Sequence, residues 1–77
     1  MTEIKNKIYA LVASKAGIEI EEINDNSSFS DDLNLGEMEI LDIITEIEEM
    51  YEITLEVDTE DLETVGDLIS AVSEELN

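Results

Sequence analysis

The sequence predicts an all-α fold, a small four-helix bundle of three main helices and one short helix with a long first loop. Three observations predict it. Apolar residues recur at helical spacing in three separate stretches, and none of the 77 residues is a helix-breaking Pro. Only Ile53 to Val57 alternates with a period of two, and a lone strand has no partner in a chain otherwise helical. Hydrophobic residues make up 43% of the chain, too many for a disordered acidic segment, so the chain should fold.

The first helix is marked by Ile4, Ile8, Leu11 and Val12, which share one face at i, i+4, i+7 and i+8. Thr2 is its expected N-cap, Gly17 the residue just past its end, and Lys15 suits the negative pole of its dipole. A long connection follows, with turn residues clustered at Asn24-Asp25-Asn26-Ser27-Ser28. Connections of this length are uncommon in compact domains. Its Ile18, Ile20, Ile23, Phe29, Leu33 and Leu35 predict that it is pinned to the core.

The second helix is expected from Glu37 to Tyr51. Ile40, Ile44, Ile47 and Tyr51 form its apolar stripe, widened by Leu41, Ile43 and Met50. Glu39, Asp42, Glu46 and Glu49 form a ladder of carboxylates opposite. Ile53–Val57 reads as an extended connector, and Asp58-Thr59-Glu60-Asp61-Leu62 as the short fourth helical turn. In the last helix Thr64 is the N-cap, with Asp67 three residues on as an acidic capping box. Val65, Leu68, Ile69, Val72 and Leu76 share its apolar face. With no repeat and no low-complexity tract, residues 1–77 read as a single domain.

Composition excludes many functions. There are 22 Asp and Glu against 3 Lys and Arg, for a formal net charge of −19. All three bases lie in the first fifteen residues, whereas residues 16–77 hold 21 acids and no base. Twelve of the acids fall between Glu37 and Glu63. The absence of Cys and His removes disulfides, thiol chemistry, Cys-based zinc sites, imidazole metal sites and the usual catalytic triads. The charge sign argues against nucleic acid, whose phosphates need Lys and Arg. No apolar run approaches the roughly 20 residues that span a bilayer, and the N-terminus lacks the apolar core of a signal peptide. A cytoplasmic monomer with basic protein partners is the expectation.

Acid clusters raise the question of calcium. An EF-hand loop begun at Asp31 would put Gly36 at position six and Asp42 at position twelve. Leu33 and Leu35 would then stand at positions three and five, where side-chain oxygens are required, so the motif fails. Weak Mg²⁺ or Ca²⁺ binding through field strength is expected, with no dedicated metal site. No nucleophile–base set is present, and the chain is not expected to be an enzyme.

Read together, Ser28-Phe29-Ser30-Asp31-Asp32-Leu33-Asn34 and Glu37-Met38-Glu39-Ile40-Leu41-Asp42 resemble the acyl carrier protein signature, S-F-x-x-D-L-G followed by D-S-L-D. Glu48-Glu49-Met50-Tyr51 and Thr64-Val65-Gly66-Asp67-Leu68 are similar to the end of that family's second helix and the start of its last. The resemblance runs in register over nearly the whole chain. It implies an acyl-carrier-like bundle serving fatty acid or related acyl metabolism, and 4′-phosphopantetheine as the family cofactor. It also implies partners that are basic surfaces on acyl-transfer or synthase-type enzymes, docked through Glu39, Asp42, Glu46, Glu48 and Glu49.

The departure lies at the family's functional centre. The acceptor serine of D-S-L corresponds to Glu37 in Gly36-Glu37-Met38. A carboxylate cannot form the phosphodiester, which needs a hydroxyl nucleophile. No cofactor is therefore expected, and Glu37 is a non-functional equivalent of the attachment site. Asn34 also stands where the family has Gly. Two readings of Glu37 stand side by side. An acid in the first turn is favoured by the helix dipole by about 0.3–1 kcal/mol, with no function attached. Alternatively it supplies a permanent negative charge where a phosphate would sit, or disables the carrier. An unloaded carrier-like docking protein is the leading functional reading. Its alternative is a non-carrier acidic interaction or regulatory protein that binds basic partners or divalent cations.

Overall fold

A computed structural model describes residues 2–76, with side chains from Glu3 onward. The capping role expected of the Thr2 side chain lies outside the described residues. The chain forms α1 (Thr2–Ala16), α2 (Glu37–Tyr51) and α3 (Val65–Leu76). Single 3-10 turns occur at Ile20–Glu22 and Thr59–Asp61. The described residues contain no strand, only an isolated antiparallel bridge between Ser28 and Thr64.

The bundle therefore has three helices and not four. Where the short fourth helix was expected, Asp61 N–H reaches the Asp58 carbonyl at 3.0 Å and Leu62 N–H reaches that of Thr59 at 3.1 Å. The structure goes no further. Nucleating a helical turn fixes several dihedrals for each bond gained, and here Asp58, Glu60 and Asp61 add like charge to that cost.

Both long helices end by the same device. Gly17 has φ +72, and the Ala13 carbonyl accepts N–H groups from Gly17 at 2.8 Å and Ile18 at 3.1 Å. At the end of α2, Glu52 takes φ 54, and Ile53 N–H bonds the Glu48 carbonyl at 3.1 Å. Glycine takes this left-handed conformation freely, whereas Glu52 holds it against its own Cβ.

The core draws on every segment. Ile8 and Val12 come from α1, Ile40, Ile43, Ile44 and Ile47 from α2, and Val65, Leu68 and Val72 from α3. The first loop adds Ile23, Phe29, Leu33 and Leu35, and the second connection adds Leu55 and Leu62. The loop is thus pinned as its apolar residues predict, except that Ile20 is 39% exposed. Leu41, expected in the α2 stripe, is 44% exposed. Burying a side chain such as Phe29 is worth about 1.5–3 kcal/mol, enough to hold a loop whose backbone bonds are few.

Those backbone bonds join the loop to the start of α3. Phe29 N–H bonds the Glu63 carbonyl at 3.0 Å, Val65 N–H that of Ser27 at 3.1 Å, and Gly66 N–H that of Asp25 at 2.9 Å. The loop thereby satisfies donors that a helix start otherwise leaves unpaired. A Cβ on Gly66 would stand 2.9 Å from the Asp25 carbonyl oxygen, so only glycine allows this approach. The expected capping box completes the start of α3. Asp67 Oδ2 accepts Thr64 N–H at 3.2 Å, and Thr64 Oγ1 accepts Asp67 N–H at 3.3 Å.

Asp25 also fastens α1. Its carboxylate accepts the Tyr9 hydroxyl and lies 3.3 Å from Lys5 Nζ, itself 5.5 Å from the centre of the Tyr9 ring. The Tyr9 hydrogen bond holds the Asp25 carboxyl below its ordinary pKa; desolvation opposes it, and the lesser contribution of Lys5 acts in the same direction as Tyr9. Desolvation, then the bond to Asp25, pushes the Tyr9 phenol up to about 12.

These features set two expectations. A raised phenol pKa contributes stability that is complete below its unfolded value of 10.0 and is lost as pH rises through about 12. Urea midpoints of Tyr9→Phe should therefore fall less than those of the wild type across that window. The stability from Asp25 is present above its unfolded value and lost as pH falls through its lowered one. Tyr9→Phe should move the Asp25 carboxyl titration, followed by NMR, upward. A titration that stays in place contradicts the assignment. Separately, Glu52→Gly should raise stability by about 0.5–1 kcal/mol. Glu52→Gln, which removes the charge but not the strain, should gain less.

Candidate functional site

The start of α2 is built from Gly36 and Glu39. Gly36 is extended, and its N–H is accepted by Glu39 Oε1 at 3.0 Å, which caps the helix from inside. Glu37 is the first helical residue and is exposed, in the favourable field of the helix N-terminus. Glu37 Oε2 accepts the hydroxyl of Thr59 at 3.3 Å. This contact joins the start of α2 to the second 3-10 turn.

Between those two segments and the first loop lies an open cleft of about 480 Å³. Phe29, Leu35, Ile40 and Leu62 make it apolar below, while Asp31, Glu37, Glu60 and Glu63 edge it with carboxylates. Hydroxyls of Ser28, Ser30 and Thr59 also line it, and no base does. Phe29 is the aromatic side chain of its lining. Ile44 and Ile47 are instead in the closed core, Leu41 is exposed, and Ile69 packs against the core without reaching the cleft.

The five expected docking carboxylates have different duties. Glu39 caps α2, and Asp42 Oδ2 pairs with Lys15 Nζ of α1 at 3.6 Å. Glu48 Oε2 accepts the N–H of Leu55 at 2.7 Å, which pins the connector after α2. Glu46 and Glu49 are exposed, with no such contact among the described residues. Thr59, Glu60, Glu63 and Asp31 escaped sequence reasoning because no local pattern links them to Glu37. Thr59 lies 22 residues away along the chain. Among the described residues no three acids gather in a way that could hold a metal ion.

A family model described as a phosphopantetheine attachment site matches residues 6–72. The acyl carrier protein of Chlamydia caviae is 31% identical over 70 residues, spanning 90% of this chain and 91% of that protein. That of Exiguobacterium sibiricum is 40% identical over 62 residues, with 79% and 78% covered. The chain belongs to the acyl carrier protein family. Its fold also matches the solution structure of the apo doublet acyl carrier protein from prodigiosin biosynthesis, with a TM-score of 0.80 at 15% identity. That match covers 96% of this chain and 36% of the other.

Several acyl carrier features of the loop have a structural reading. Ser28 Oγ accepts Asp31 N–H at 3.1 Å and Asp32 Oδ2 accepts Ser28 N–H at 2.7 Å, so Ser28 and Asp32 close the turn reciprocally. Phe29 and Leu33 go to the core. Asn34, standing where the carrier signature has Gly, takes φ 55, a conformation that Asn tolerates better than most residues.

The duties of the α2 acids can be told apart by mutation. Glu48→Ala should cost about 1 kcal/mol by leaving the Leu55 N–H unpaired. Glu49→Ala should be neutral or slightly stabilising, since it only removes like charge. Equal chemical-denaturation midpoints for the two variants would contradict the role given to Glu48.

Proposed function

We propose that this acyl carrier protein-like chain serves fatty acid or related acyl metabolism as a docking module that is not loaded with 4′-phosphopantetheine. The observation that carries the reading is the carboxylate of Glu37 at the first residue of α2, where the family resemblance calls for the acceptor serine. The residues present do not fit the cofactor. Glu37 has no hydroxyl to attack a phosphate, and the carboxylates edging the cleft would repel one. Neighbouring hydroxyls belong to other segments: Ser28 Oγ is used in the loop turn, and Thr59 donates to Glu37.

Docking is supported by the charge distribution. Glu46 and Glu49 stand exposed on α2, and Asp42 and Glu39 add charge to the same helix while serving the fold. An acidic surface of this density raises association rates with basic acyl-transfer or synthase-type enzymes. In this reading the chain acts by being bound by its partners.

Incubation with coenzyme A and a broad-specificity phosphopantetheinyl transferase, followed by intact mass, tests the reading. The mass should stay unchanged, and Glu37→Ser should gain one phosphopantetheine. An adduct on the wild-type chain, at Thr59 or Ser30 for example, would overturn it.

A further inference from the structure

The acids best placed to receive a partner are not those of the α2 ladder alone. Glu39, Asp42 and Glu48 are each engaged within the chain. Asp31, Glu37, Glu60 and Glu63 are all exposed, and all border one cleft. Two of the three bases are held elsewhere, Lys5 at Asp25 and Lys15 at Asp42, and none lines the cleft. The cleft therefore joins uncompensated negative charge at its edge to apolar side chains at its base.

We propose that this cleft is the socket for an arginine side chain projecting from a basic partner protein. The inference rests on the docking reading above and adds the point of insertion. The methylene stem lies along Phe29, Leu35, Ile40 and Leu62, while the guanidinium meets the carboxylates of Glu37, Glu60 and Glu63. A long amphipathic side chain gains from both kinds of surface at once. The planar guanidinium spreads five donors over a wide fork and is more weakly hydrated than an ammonium, so arginine is favoured over lysine where carboxylates are spaced around an apolar cleft rather than gathered at one point. Charge excludes other occupants. A carboxylate or phosphate is repelled at the edge, and a second copy of this chain brings its own −19. The Thr59 hydroxyl, bonded to Glu37 at 3.3 Å, helps hold that carboxylate beside the cleft.

The test pairs a small probe with a whole partner. Propylguanidinium, titrated into the ¹⁵N-labelled chain, should give saturable shifts at the amides of Phe29, Leu35, Ile40 and Leu62. Butyrate should give none. The double variant E37Q/E60Q, which keeps the shape and relieves self-repulsion, should weaken probe binding by about threefold to tenfold. E46Q/E49Q should leave it unchanged. Shifts centred on Glu46–Glu49, an equal response to butyrate, or no effect of E37Q/E60Q would overturn the socket.

Calorimetry with a purified basic synthase-type enzyme then separates the two claims. Binding weakened by E37Q/E60Q supports the socket. Binding weakened only by E46Q/E49Q preserves docking and sinks the socket. If the enzyme does not bind the wild-type chain, the docking reading falls and the socket falls with it.

Discussion

The fold depends on the seam between the first loop and the start of α3. Three backbone hydrogen bonds cross it, from Phe29, Val65 and Gly66 to Glu63, Ser27 and Asp25. Helix starts carry unpaired donors, and a loop this long carries backbone groups that need partners. Each solves the other's problem. The seam works only because Gly66 lets the Asp25 carbonyl approach, and because Phe29, Leu33 and Leu35 give the loop an apolar anchor on each side of its turn. Asp25 extends the same joint to α1 through Tyr9 and Lys5. One residue thus touches two helices, through its side chain and its carbonyl.

Electrostatics constrains what else the chain can do. With so few bases, nearly every carboxylate lacks a cationic partner, and the fold spends its acids on backbone donors instead. Glu39, Glu48, Asp32 and Asp67 each accept a main-chain N–H. Such bonds carry a charge-assisted gain without needing a base. They explain how a helix with a uniformly acidic face persists despite like-charge repulsion along it. Of the acids not used in this way, Asp31, Glu37, Glu60 and Glu63 border the cleft and Glu46 and Glu49 stand exposed on α2.

Much of the fold was legible in the sequence. The span Glu37–Tyr51 coincides with α2, Gly17 adopts the left-handed turn its position calls for, and Thr64 with Asp67 forms the expected box. The loop's attachment to the core followed from its apolar residues. The expected short helix at Asp58–Leu62 stops at a single 3-10 turn, and composition does not reveal whether one turn will propagate. The candidate site was half legible. Glu37 stood out by its departure from the carrier signature, whereas its companions Thr59, Glu60 and Glu63 carried no signal.

By itself the sequence determined the three helices, the turn at Gly17, the Thr64–Asp67 box, the net charge and the carboxylate at the head of α2. These are local or additive properties, governed by i→i+4 bonding, the period of apolar residues and the count of charges. The tertiary structure alone decided which acids meet partners distant in the sequence and which face a cleft. It brought Thr59 to Glu37, Lys15 to Asp42 and the Glu48 carboxylate to the Leu55 N–H. Those meetings follow from how the segments pack on one shared core, which no local pattern encodes.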